Sequence, residues 1–168
     1  AAVLRLWGLV MGPPVPHPDE IFLVYFPLNF LGGDLNPHHF TYPSLQFYLL
    51  GALFGAAFLW QKLVGAGWSL DQFVVYQYFW DAGSLYALAR LAGVGFALGT
   101  VWWAGRLAGR VYGRAAGLAA SLLVAVCAVR VRQSGLAAVD VPMTFWFVGA
   151  VWAAVRLLER EDWKDYVL

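Results

Sequence analysis

Residues 84–105, SLYALARLAGVGFALGTVWWAG, pass through 106–114, RLAGRVYGR, into 115–129, AAGLAASLLVAVCAV. Extended by a residue or more of flank, each outer stretch reaches the ~20 apolar residues that a helix needs to cross a bilayer. The connection between them holds Arg106, Arg110 and Arg114 and no acid. An excess of Arg in a short loop marks the cytoplasmic side. The pattern therefore reads as two antiparallel spans whose far ends, at Arg90 and around Asp140, face outward. A third apolar stretch, 141–155, is followed by Arg156, Arg160 and Lys164, which return to the inside. The expected fold is an all-α polytopic transmembrane helix bundle with spans at 83–105, 114–132 and 140–158.

Composition agrees with a membrane protein. The chain is 61% hydrophobic and 17% aromatic, and its 12% of charged residues is about half the share in an ordinary soluble domain. A net charge of +1 supplies no basic field for nucleic acid. Nine tryptophans fit interfacial belts, and Gly93 and Gly105 fit close packing between helices. The lone Cys127 sits in an apolar run and reads as an inert thiol.

The chain opens on Ala1, and residues 1–11 are apolar but too short to span. They read as the clipped end of a first transmembrane helix, which makes the chain an amino-terminal fragment, expected to be inactive alone. A signal peptide fits less well, because the charged n-region is missing and 13–18 does not resemble a small-residue cleavage site. The apolar stretch 45–60 tests this topology. Its length is near the lower limit, Gly51, Gly55 and Gln61-Lys62 interrupt it, and a crossing would put Asp19 and Asp140 on opposite sides. It reads instead as a helix lying in or on the outer leaflet. Residues 12–82 then form one outer loop that carries juxtamembrane helices, a helical segment at 20–30 among them.

That loop opens on Pro13, Pro14, Pro16 and Pro18, followed at once by Asp19 and Glu20. Carboxylates beside a hydrophobic segment are costly without a task or a partner. The outer surface gathers His17, Asp34, Asn36, His38, His39 and Tyr42 with them, together with Arg90, Arg130, Arg132, Gln133 and Asp140. A carboxylate can act as general base toward a hydroxyl, or hold a divalent cation that neutralises a phosphate leaving group. Arg offers a planar fork for phosphate oxygens. Such a set suits transfer from a lipid-linked phosphosugar. Plainer roles stand beside these. Asp19 and Glu20 suit a helix cap near Ile21, Asp140 suits the cap of the last helix with Pro142 in its first turn, and Arg130 suits snorkelling to headgroups.

Three motifs carry a resemblance: HPDE at 17–20, NPHHFTYPSL at 36–45 and QSGLAAVDVP at 133–142. In kind, order and approximate spacing they resemble the amino-terminal third of the GT-C glycosyltransferases, nearest the protein O-mannosyltransferases and lipid A aminoarabinose transferases. The resemblance implies eleven or more transmembrane helices, a polyprenyl-phosphate sugar donor, and a protein, lipid or glycan acceptor at an extracytoplasmic site. It implies Asp19 as catalytic base, Glu20 as its acceptor-binding partner and Asp140 at the donor or metal site, with a divalent metal at Asp19 and Asp140 as an optional cofactor. Tyr42 stands where relatives often have Lys or His, and Gly135 where many have Arg or His, which leaves Arg132 or Arg90 to meet the phosphate. Tyr42, His38 and His39 complete the expected substrate contacts. The expectation is a hexosyl or pentosyl transferase of the prokaryotic plasma membrane with its site facing outward. The competing class is a non-catalytic polytopic protein, such as a transporter segment or assembly subunit.

Overall fold

The computed structural model describes residues 1–10, 17–65 and 67–159, with no side chains for 7–10 and 159. Pro13, Pro14, Pro16, Arg160 and Lys164 lie outside the described residues. Within them the chain forms helices α1 (Ala2–Val10), α2 (Pro18–Phe30), α3 (Ser44–Leu63), α4 (Leu70–Phe79), α5 (Ala82–Tyr112), α6 (Arg114–Val126), α7 (Ala128–Ser134) and α8 (Asp140–Glu159). The protein is an all-α polytopic helix bundle.

α5 is the axis. The connection expected at 106–114 is mostly helical, because Arg106 and Arg110 continue α5 and only Gly113, at φ 91°, turns the chain. At 1.5 Å per residue the 31 residues of α5 are about 46 Å long, more than the about 30 Å of a hydrocarbon core. α6 returns along its second half. A Cβ on Gly105 would collide with the Ser121 hydroxyl, and one on Gly117 would lie 2.6 Å from the Gly105 carbonyl oxygen and 2.9 Å from Gly109 Cα. Glycine at these positions allows the two backbones to touch. Gly93 makes a similar approach, since a Cβ there would lie 3.3 Å from the Leu136 carbonyl oxygen. α8 then runs in the same direction as α5, with Phe96 against Phe145 (ring centroids 5.3 Å apart) and Trp103 against Trp152 (4.7 Å).

The span expected at 114–132 is not one straight helix. α6 and α7 meet at Cys127 with a bend of 59°. The bend turns the carbonyls of Val124 and Ala125 toward Arg5 of α1, whose guanidinium donates to them at 3.2 and 3.0 Å. Carbonyls freed in an apolar layer need such a donor.

The core sits at the other end of α5. Leu23, Val24 and Leu28 of α2, Phe47, Leu50 and Phe54 of α3, Phe73 of α4, and Leu85, Tyr86 and Ala89 of α5 are all buried together. α3 is longer than expected. Gly51 and Gly55 do not interrupt it; they receive Phe30 and Leu31 of α2, with Phe30 Cδ2 2.8 Å from where a Gly51 Cβ would stand. By length and composition α3, α5 and α8 can each cross a membrane, and the bent pair α6–α7 can count as a fourth crossing.

Candidate active site

α2 begins earlier than the cap reading places it. Its N-cap is His17, with Pro18 in the first turn, and Glu20 at the third helical position reaches back to accept from the His17 backbone N–H at 2.8 Å. This capping box aims the Glu20 carboxylate inward. There Arg90 of α5 donates through Nε to Oε1 and through Nη2 to Oε2, both at 2.8 Å, and the backbone N–H of Ala137 donates to Oε1 at 2.7 Å. Each oxygen therefore accepts two hydrogen bonds, and Glu20 is fully buried. Burial alone would raise its pKa; the donors from Arg90, Ala137 and His17 overcome that and hold the carboxyl below its ordinary value. One side chain thus ties the first turn of α2, the Arg90 part of α5 and the α7–α8 turn into a single end of the bundle.

Asp19, one residue earlier, points the other way. Its side chain is 53% exposed. The Tyr42 hydroxyl donates to Asp19 Oδ1 at 3.1 Å, and His17 Nδ1 lies 3.6 Å from Oδ2. Burial, the hydrogen bond to Asp19 and the charges of Asp19 and Asp140 push the Tyr42 phenol up, so it stays a proton donor. Asp140 is exposed at the first residue of α8, and the Thr144 hydroxyl donates to its backbone carbonyl at 2.7 Å. Asp19, Tyr42 and Asp140 accordingly share one face at the Glu20 end of the bundle. Beside them, Pro43, Leu45, Gln46, Val139, Pro142, Met143 and Trp146 line a mostly apolar groove of about 180 Å³ between the starts of α3 and α8.

The two histidines part company. His39 is wedged between Phe22 and Phe26, with ring centroids at 5.0 and 5.1 Å, and 5.4 Å from Tyr42. His38, at φ 49°, belongs to an exposed turn in which its Nε2 lies 2.7 Å from Asp34 Oδ2. The N–H of Asn36 and then His38 hold the Asp34 carboxyl below its usual range. Arg130 and Arg132 part as well. Arg130 donates to the Thr144 hydroxyl at 2.7 Å, whereas Arg132 is exposed and has no hydrogen bond or ion pair among the described residues. Among the described residues no three of His, Cys, Asp and Glu converge as a metal-binding group. Asp19 and Asp140 would supply two carboxylates toward a divalent cation.

Sequence reasoning passed over Arg5, which is 1% exposed and joins α1 to the α6–α7 bend beneath the site. A lone cation in an apolar stretch was the available signal, since an intramembrane charge normally has a named partner. Its partners here are backbone carbonyls some 120 residues away, which no motif announces.

Comparison with curated proteins and with solved structures gives no match. Residues 82–168, just over half of the chain, match the family model described as dolichyl-phosphate-mannose-protein mannosyltransferase. The match starts at the first residue of α5 and includes Arg90, Arg132 and Asp140; Asp19 and Glu20 precede it, and Glu20 is bound to it through Arg90 and Ala137. The chain belongs to the dolichyl-phosphate-mannose-protein mannosyltransferase family, membrane glycosyltransferases of the GT-C type.

Proposed function

We propose that the Glu20 end of the bundle is the transfer site for a sugar carried on a polyprenyl phosphate, that it faces the outside of the membrane, and that Asp19 is its general base. The observation that carries this reading is the contrast within the Asp19–Glu20 pair: Glu20 is buried with its acceptor positions filled, while Asp19 is exposed with Tyr42 as its side-chain donor. In the proposed step an acceptor hydroxyl attacks the anomeric carbon of the donor sugar. The new C–O bond forms as the C–O bond to phosphate breaks, the polyprenyl phosphate leaves with that electron pair, and the hydroxyl proton passes to Asp19. Attack from the side opposite the leaving group inverts the anomeric centre. Tyr42 fixes the orientation of Asp19, and Glu20 with Arg90 acts as a positioning pair that holds α2 in register.

Two further observations support the carrier. The apolar groove beside Tyr42 and Asp140 is lined as an isoprenyl chain requires. Arg132 has no partner of its own among the described residues and is the cation assigned here to the phosphate, while Arg130 is engaged by Thr144. The family description names a mannosyl group, a dolichyl phosphate carrier and a protein acceptor, and we take donors and acceptors of this class as the first to test. The outward assignment rests on Arg106, Arg110 and Arg114 at the opposite end of α5.

In the full-length enzyme Asp19→Asn is expected to insert normally and to lower turnover by ~10² or more, the usual cost of a lost base. Wild-type turnover in that variant would remove Asp19 from the chemistry. Arg132→Lys keeps the charge but loses the bidentate fork, so the donor concentration needed for half-maximal rate should rise several-fold, with Arg130→Lys close to neutral.

A further inference from the structure

One polar side chain interrupts the groove between the starts of α3 and α8. Leu45, Met143 and Trp146 stand about half exposed along it, whereas Gln46 in the same wall is only 8% exposed. The Gln46 Oε1 atom is buried and has no hydrogen-bond partner among the described residues. Its backbone is satisfied, since the N–H donates to the Pro43 carbonyl at 3.2 Å in the first turn of α3, so only the carboxamide is left over. Buried carboxamide oxygens normally meet a donor. A methionine of similar shape would finish an apolar wall without leaving an acceptor unmade, so glutamine here points to a ligand that brings the donor. The groove also has a direction. Asp140 opens α8 and Trp146 lies about 9 Å further along its axis, so one end is polar, at Asp140 and the Tyr42–Asp19 pair, and the other is apolar. Gln46, four residues after Tyr42, belongs to the polar end.

We propose that Gln46 is a specificity-determining residue for the donor, its Oε1 accepting a hydrogen bond from a hydroxyl of the sugar carried on the polyprenyl phosphate. The inference rests on the reading of the Glu20 end as the transfer site and names the part of the donor that is recognised there. An isoprenyl chain has no hydrogen-bond donor, and an ionised phosphodiester has only acceptors, so neither can serve Oε1. The O–H groups of such a molecule are those of its sugar. With the chain along Met143 and Trp146, and the anomeric carbon beside the hydroxyl whose proton passes to Asp19, the sugar falls next to the first turn of α3. Trp146 adds a flat apolar face on which the C–H side of a sugar ring can rest. Because Oε1 is already desolvated by folding, a hydroxyl that reaches it gains the hydrogen bond with little offset on the protein side. A sugar lacking that hydroxyl forgoes the whole gain.

The test is a kcat/KM series in the full-length enzyme with one acceptor peptide, comparing synthetic polyprenyl-phosphate mannose with its monodeoxy analogues, each lacking one hydroxyl. Wild type is expected to disfavour one analogue by about 10-fold or more, and Gln46→Met, which keeps the volume and removes the acceptor, to reduce that discrimination to within about 2-fold. Comparing discrimination between the two proteins cancels the intrinsic reactivity of each analogue. Since Oε1 makes no hydrogen bond within the protein, Gln46→Met should hold or raise the melting temperature. A fall of several degrees would show a structural role and overturn the inference. The wild-type series decides even without the variant, because a profile in which no analogue is disfavoured overturns it as well. An unchanged profile in Gln46→Met does the same, and an accompanying rise in the KM of the acceptor peptide would give the groove to the acceptor. Asp19→Asn in the same assay keeps the two levels apart. Loss of turnover there with an unaltered profile in Gln46→Met removes this inference alone, whereas wild-type turnover in Asp19→Asn removes the transfer-site reading on which it rests.

Discussion

Asp19 and Glu20 are neighbours in the chain with opposite environments, and helix geometry explains why. Successive helical positions point about 100° apart, so a capping box that draws Glu20 inward leaves Asp19 on the open side. Removing charge from Glu20 leaves the Arg90 guanidinium, itself largely buried, without its counter-ion. Glu20→Gln is therefore expected to lower stability by about 3–5 kcal/mol, read as a fall in the melting temperature of the full-length protein. The pH dependence follows from the depressed carboxyl. Its stabilisation is complete above the unfolded pKa of about 4.3 and is lost as the pH falls through the lower, folded pKa. The gap in melting temperature between wild type and Glu20→Gln should thus narrow below about pH 4.3, and a gap that stays constant to lower pH would contradict the burial of an ionised Glu20. At this scale the sequence drew attention to the pair as a unit. It did not separate their roles, because the partners that do so, Arg90 and the Ala137 N–H, are 70 and 117 residues distant.

Among the elements, hydropathy marks α5 and α8, and equally α3, as long and apolar enough to cross a membrane, and the return from α5 to α8 is the bent pair α6–α7. The bend at Cys127 was not legible, since it contains neither proline nor glycine and is stabilised by Arg5 from the far end of the chain. Replacing Arg5 with Leu would leave the Val124 and Ala125 carbonyls without their donor, and a loss of about 1–3 kcal/mol per orphaned group is expected in thermal unfolding. The α5–α6 crossing makes a comparable prediction. Gly117→Val places branched carbon where Gly105 and Gly109 already touch, and overpacking of this kind costs about 1–3 kcal/mol. α3 is the element whose composition admits two readings. It runs beside α2, with Phe26 against Phe47 and Phe30 against Tyr48, and α2 in turn flanks the part of α5 that holds Arg90. Cysteines replacing Asp34 and Asp71 in a Cys127→Ser background should both react with an impermeant thiol reagent from the same side. Reaction of the Asp71 position only after permeabilisation would mean that α3 crosses.

In the whole molecule, two polar ends are separated by a shell of apolar helix surface. One end joins α2, α5 and the α7–α8 turn through Glu20 and presents Asp19, Tyr42 and Asp140 beside an apolar groove. The other gathers arginines around the α5–α6 turn. Three short motifs in order were sufficient to indicate the family. The groove that holds Gln46 was not legible, because it depends on how closely the starts of α3 and α8 approach. The account stands or falls on Asp19 and Asp140 sharing the outer face, and sidedness measures that directly. In the full-length protein lacking Cys127, cysteines introduced singly at positions 19, 140 and 114 are exposed to an impermeant thiol reagent in intact cells. The account predicts labelling of Asp19→Cys and Asp140→Cys from outside and of Arg114→Cys only after permeabilisation. Labelling of positions 19 and 140 from opposite sides would contradict it.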